Sequence, residues 1–128
     1  MDLDRAAELY NEVGAAAVEQ IGTVDTKILV YAESDEGDLE ILVRYSDKDA
    51  EVVDSLSDTE PVIEAVVDLY AYLEQAGEKH AWKCMEYVVD YGQVNVDISY
   101  DEAFCNGEEL WEKSPKLLEK HFPGKPHR

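Results

Sequence analysis

Two alternating runs, Trp82–Asp90 and Gln93–Tyr100, stand on either side of Tyr91-Gly92, and no other stretch restricts the fold of this chain as tightly. Alternation of apolar and polar residues is the mark of a strand with one buried face. A two-residue loop places Val89 opposite Val94, Tyr87 opposite Val96 and Met85 opposite Ile98, which gathers the apolar residues on one face. The other face carries Cys84, Glu86, Val88 and Asp90 against Asn95, Asp97 and Ser99. A slip of one residue would turn every side chain to the wrong face, so the register is well specified. Tyr-Gly suits the favoured hairpin turns less well than Asn-Gly, which leaves the loop type open.

A second hairpin precedes it. Thr26–Glu33 and Leu39–Ser46 alternate and flank the turn chemistry of Ser34-Asp35-Glu36-Gly37. A four-residue loop would set Ile28 against Val43, Val30 against Ile41 and Ala32 against Leu39. The opposite face, with Leu29, Tyr31 and Leu42 beside Lys27, Glu40 and Arg44, is only half polar and calls for a cover. A short strand is expected near Val52 and Val53.

Helical spacing marks three further segments. Residues 3–21 carry Leu3, Ala6, Ala7, Tyr10, Val13, Gly14, Ala17, Val18 and Ile21 on one stripe, with Asp2 as cap and Gly22 as stop. From Glu60 to Gln75 the buried stripe is Val62, Ile63, Val66, Leu69, Tyr70 and Leu73, with Pro61 suited to the first turn and Gly77 ending the helix. Glu108–His121 is the last, anchored by Leu110, Trp111, Leu117 and Leu118, with Pro115 implying a kink or two pieces. The expectation is an α+β domain over residues 1–122: an antiparallel sheet of about four or five strands built from two hairpins, packed with N-terminal, middle and C-terminal helices. Residues 123–128 read as a flexible tail. At 128 residues one core suffices without metal or disulfide support.

Charge bears on function more than on fold. Thirty acidic against 11 basic residues give a net charge of -19, which draws cationic partners and repels nucleic acid and anionic membranes. Cys84 and Cys105 form no ligand cluster and read as reduced thiols. The acidic, amphipathic N-terminus is unlike a signal peptide, and no apolar run is long enough to span a bilayer, so a soluble, cytoplasmic protein is expected.

No catalytic motif is present: the chain lacks a nucleophile elbow, a phosphate-binding glycine loop and a dinucleotide fingerprint. His80, His121 and His127 lack ligand spacing, and no cofactor or metal is expected, an EF-hand pattern being absent. Carboxylates are the abundant polar groups. Asp35, Glu36 and Asp38 lie in the first hairpin loop, and Asp47, Asp49, Glu51 and Asp54 follow the second strand. Asp97 and Asp101 share one side of the last strand, with Glu86 across from Asp97, an opposition of like charge that costs up to about 1 kcal/mol unless a cation relieves it. These ten residues are the candidate contacts for a basic partner. Solvated sheet residues balanced by Lys83 or Arg44 are the plainer reading of any one of them.

The run Ala81-Trp82-Lys83-Cys84-Met85-Glu86-Tyr87-Val88-Val89-Asp90, a glycine turn, then Val94-Asn95-Val96-Asp97-Ile98-Ser99-Tyr100-Asp101-Glu102 resembles the YezG-like immunity proteins. There a Trp-led strand returns through a short turn into a strand of hydrophobic-Asp-hydrophobic-x-Tyr-Asp form. The N-terminal helix, Tyr31-Ala32-Glu33, an acidic helix before the Trp strand and a later helix around Trp111 agree in order. Cys84, Val88-Val89 and Pro115 depart from the pattern. The resemblance implies an immunity protein that neutralises a cognate, nuclease-type toxin of a bacterial polymorphic toxin system, without catalytic residues. An acidic adaptor, homodimeric through the half-apolar sheet face, is the alternative.

Overall fold

In the computed structural model, residues 2–23, 25–35, 38–47, 50–100 and 109–126 are described. Their elements are α1 (Leu3–Ile21), β1 (Thr26–Asp35), β2 (Asp38–Asp47), β3 (Asp54–Ser55), α2 (Glu60–Gln75), a 3₁₀ turn (Glu78–His80), β4 (Cys84–Asp90), β5 (Gln93–Ser99) and α3 (Leu110–His121). The α+β class is as expected, with an antiparallel sheet of order β3-β2-β1-β4-β5.

β1 is the centre of the sheet, paired with β2 on one side and β4 on the other. Its run Ile28, Leu29, Val30, Tyr31, Ala32 is buried without a break. Alternation alone would send Leu29 and Tyr31 to water, so both faces of the sheet must be covered. On one face α1 and α2 pack, and Leu9, Val13, Ala17, Val62, Val66, Leu69 and Leu73 meet Ile28, Val30, Val43, Met85, Tyr87 and Val89 around Trp82. On the other, Leu118 and Phe122 at the end of α3 cover Leu29, Tyr31, Leu42, Val53, Cys84 and Val88. The half-apolar face is therefore filled by the chain's own last helix.

The β4–β5 register is the expected one, Val89 to Val94, Tyr87 to Val96 and Met85 to Ile98. Tyr91 at φ 50 and Gly92 at φ 88 make the connection a type I′ turn, in which both central residues take positive φ. Tyrosine is strained there, and the strand pairing on both sides of it fixes the turn. The first hairpin corrects the expected register by two residues: Ile28 faces Tyr45, Val30 faces Val43 and Ala32 faces Ile41. Both strands continue through the turn-like residues until Asp35 meets Asp38, leaving Glu36 and Gly37 between them. An even shift preserves the faces, so the core was unaffected by the misplaced loop.

α1 starts at Asp2, whose side chain accepts from the amides of Asp4 and Arg5, and stops at Gly22 in the left-handed region. Gly14 is required by contact: its amide donates to the Tyr87 hydroxyl at 3.0 Å, and that hydroxyl donates to the Tyr10 carbonyl at 2.6 Å. The side chain of β4 thus reaches into the backbone of the helix. Tyr72 ties the far end of α2 to the start of α1 through hydrogen bonds with the Asp2 backbone.

Other expectations need correction. Leu3 and Ile63 are exposed rather than on buried stripes, and Leu9 is buried in their layer. Trp111, expected as an anchor, is 74% exposed, and the fully buried anchors of α3 are Leu118 and the following Phe122. Pro115 sits inside a single helix. The bond it forgoes would run to the Trp111 carbonyl, and both residues are exposed, so water can serve that oxygen. Cys84 is half of a disulfide rather than a reduced thiol. Beyond α3 the chain returns to the sheet margin, where the Pro126 carbonyl accepts from the Val53 amide at 2.9 Å and Lys125 Nζ donates to Ser46 Oγ at 2.9 Å.

Candidate functional site

Folding sorts the charge in a way that linear order does not reveal. α1 carries Asp4, Glu8, Glu12 and Glu19 against Arg5, and α2 carries Glu60, Glu64, Asp68 and Glu74 with no basic residue. All eight carboxylates are exposed. The two helices lie side by side and share one core, so their outer faces together form an acidic wall. Arg5 is engaged within it, 3.0 Å from Glu8 and 3.8 Å from Glu12. Ile63 and Val67, 37% and 43% exposed, interrupt the acid on α2 with apolar surface.

Lys113, Lys120 and His121 of α3 reach the other way, onto carboxylates of the sheet. Lys113 Nζ lies 2.6 Å from Glu33, which also accepts from the Tyr31 hydroxyl at 2.8 Å. Burial, then this hydrogen bond to a carboxylate, raises the Tyr31 pKa. Glu86 receives His121 Nε2 at 2.7 Å and Lys120 Nζ at 2.9 Å on the same oxygen. Its pKa falls to about 2, chiefly through the His121 hydrogen bond and then Lys120, against the opposing effect of burial. These pairs clamp α3 down. They also engage cations on the far side of the sheet, leaving Arg5 as the one basic residue on the two helices of the wall.

The ten candidate carboxylates do not converge. Asp38 is at one end of β2 and Asp47 at the other, about 30 Å apart at 3.4 Å per residue. Asp35 pairs with Asp38 at the hairpin end, while Glu51 is exposed and Asp54 half-buried beyond Asp47. Glu36, Asp49 and Asp101 lie outside the described residues. Glu86 and Asp97 do face each other, and Lys120 and His121 of the same chain bind the Glu86 member of that pair. Lys83 and Arg44 were expected in that role. Arg44 instead donates to its neighbour's carbonyl, Val43, at 2.8 Å, and burial lowers its pKa.

Two further surfaces stand out. A groove of about 560 Å³ runs between Glu40, Leu42 and Arg44 of β2 and Leu110, Trp111 and Pro115 of α3. At the opposite side, β5 is the sheet margin, and among the described residues it pairs with β4 alone. Val94 and Val96, expected in the core, are 43% and 39% exposed because the helical layer stops over β4. Among the described residues no group of three or more His, Cys, Asp or Glu could hold a metal, and no helix is long and apolar enough to cross a membrane.

No family model matches the chain, and no curated protein matches it.

None of the wall's eight carboxylates is among the ten candidates, because those lie in hairpin loops, in the stretch after β2 and on the β4–β5 hairpin, whereas the wall's acids are spread along two helices. Helical carboxylates spaced three or four apart are the signal that would have found it: Glu8 and Glu12, Glu60, Glu64 and Asp68 each fall on one outer stripe.

Proposed function

We propose that this chain is an immunity protein of the YezG-like kind, which binds a cognate basic, nuclease-type toxin and neutralises it by occluding its active surface. The observation that carries the reading is the two-helix wall of eight exposed carboxylates with one guanidinium, in a chain of net charge -19. A nuclease is basic where it grips phosphate, so an anionic wall competes for that surface and steers the encounter. The Trp82-to-Asp101 pattern supplies the immunity assignment, and charge supplies the mode of binding. The chain is assigned no catalytic role.

A cytoplasmic site of action accompanies this reading. The Cys84 disulfide pulls against it, because disulfides persist mainly in oxidising compartments. Trapping thiols in intact cells before lysis decides between the two: a free Cys84 thiol supports the cytoplasm.

Expressing the product of the adjacent gene with and without this protein tests the function. Toxicity relieved by this protein, with co-purification of the pair, is the expected result. A neighbour that is harmless alone and does not co-purify would overturn the immunity reading. The homodimeric adaptor alternative relied on a half-apolar sheet face that α3 occupies.

A further inference from the structure

The sheet has two margins, and they are built differently. β3 is two residues long, and next to it the Val53 amide is bonded to the Pro126 carbonyl. Short, covered edges of this kind resist pairing with other chains. β5 is seven residues long and carries no proline or lysine, and among the described residues neither a bulge nor a covering helix guards its outer edge.

Its backbone polarity follows from the turn. In a two-residue type I′ hairpin the residues flanking the loop, Asp90 and Gln93, form a hydrogen-bonded pair, and such pairs then alternate along the ladder. Asn95 and Asp97 therefore direct their amides and carbonyls to β4. Val94, Val96 and Ile98 direct theirs outward, to the open margin. The same residues carry apolar side chains on the α1–α2 face, where Val94 and Val96 are exposed. Hydrogen-bonding groups and apolar side chains are thus offered together, at a strand spacing.

We infer that the outer edge of β5 takes an extended strand from a basic partner, which adds to the sheet beside β5 as a sixth strand. The inference rests on the acidic-binder reading above and assigns it a docking edge. Backbone pairing gives such a contact its affinity, and alternate side chains give it specificity. Here one face of the incoming strand meets Val94 and Val96, which asks for apolar residues. Its other face lies beside Asp97, with Asp90 one strand further in, which asks for Lys or Arg. A second copy of this chain meets the apolar requirement but brings a net charge of -19 against -19, so charge selects a cationic strand instead.

The probe is a ten-residue peptide alternating lysine and valine, added to the full-length oxidised protein. Its control is the same peptide N-methylated at alternate residues, which keeps the charge but cannot donate along one edge. The parent peptide is expected to slow amide exchange at Val94, Val96 and Ile98 by about tenfold or more, while Asn95 and Asp97, already bonded to β4, stay unchanged. The methylated twin should bind at least about tenfold more weakly, a difference of one decade in Kd. Val96→Pro, which removes an outward amide, and Val96→Lys, which keeps it but repels a basic strand, should each weaken binding similarly. Near-UV circular dichroism checks that both variants remain folded. Equal binding of both peptides, without new protection on β5, overturns the docking edge while leaving the acidic-binder reading intact. A dimer that Val96→Lys dissociates would overturn the choice of occupant. Failure of the parent peptide to bind at low salt overturns the edge, whereas the neighbouring-gene experiment judges the immunity reading separately.

Discussion

At Gly14 a single missing Cβ decides how a helix meets the sheet. A Cβ placed there would stand 2.6 Å from the Tyr87 hydroxyl, with the nearest ring carbons at 3.4 and 3.5 Å. In an ordinary helix Gly→Ala is favourable by about 1 kcal/mol. Here the hydroxyl is pinned between the Gly14 amide and the Tyr10 carbonyl and cannot yield. Gly14→Ala is expected to destabilise by about 1–3 kcal/mol in urea unfolding, as overpacking does. Tyr87→Phe removes the clashing atom and should rescue much of that loss in the double variant, a coupling that a double-mutant cycle measures. Additive losses would mean that the helix shifts instead. The small-residue run Gly14-Ala15-Ala16-Ala17 signalled close approach in the sequence. The tyrosine it accommodates was legible only as a core residue, since a hydroxyl bonded across 73 positions has no local signature.

Among the elements, α3 is the one whose attachment depends on charge. The Glu86 carboxylate, held at about 2 against an ordinary value of 4.5, is stabilised by His121 and Lys120 in the folded state alone. Its contribution is present above pH 4.5 and disappears as pH falls toward 2, because the unfolded chain takes up the proton first. Glu86→Gln should cost about 1–2 kcal/mol at neutral pH and flatten the acid limb of the stability curve between those two values. Chemical denaturation at stepped pH checks both. A second restraint is covalent. The disulfide at Cys84 ties down the strand face that α3 covers, and a native disulfide of this kind contributes about 2–4 kcal/mol. Peptide mapping without reductant should recover the Cys84 peptide in cross-linked form, and Cys84→Ser should lower the urea midpoint accordingly. The existence and bounds of the helices and of β4–β5 were legible because periodicity and caps are local. The first hairpin slipped because Ser34, Asp35 and Asp38 look like loop residues, yet they extend the strands. Trp111 and Ile63 were placed in the core because a periodic stripe shows which face is apolar but not where the neighbouring layer ends.

For the whole molecule, one set of carboxylates has opposite consequences for folding and for binding. A net charge of -19, with eight of its acids on one wall, repels itself in the folded state more than in the expanded chain. Salt screens that repulsion, since the Debye length falls from about 10 Å at 0.1 M to about 3 Å at 1 M. Raising sodium chloride should therefore raise the Tm of the free protein, by on the order of 3–6 °C for each kcal/mol relieved in a chain of this size. The same addition should slow association with a basic partner, because steering depends on the unscreened field. Substituting Glu64→Gln and Asp68→Asn together should reproduce both effects at constant low salt: a higher Tm and a lower on-rate. A binding surface is expected to behave in this way, carrying a charge that its own fold would be more stable without. If the double variant stabilises the protein and leaves the on-rate of the cognate partner unchanged, the wall serves solubility, and the contact lies elsewhere on the molecule.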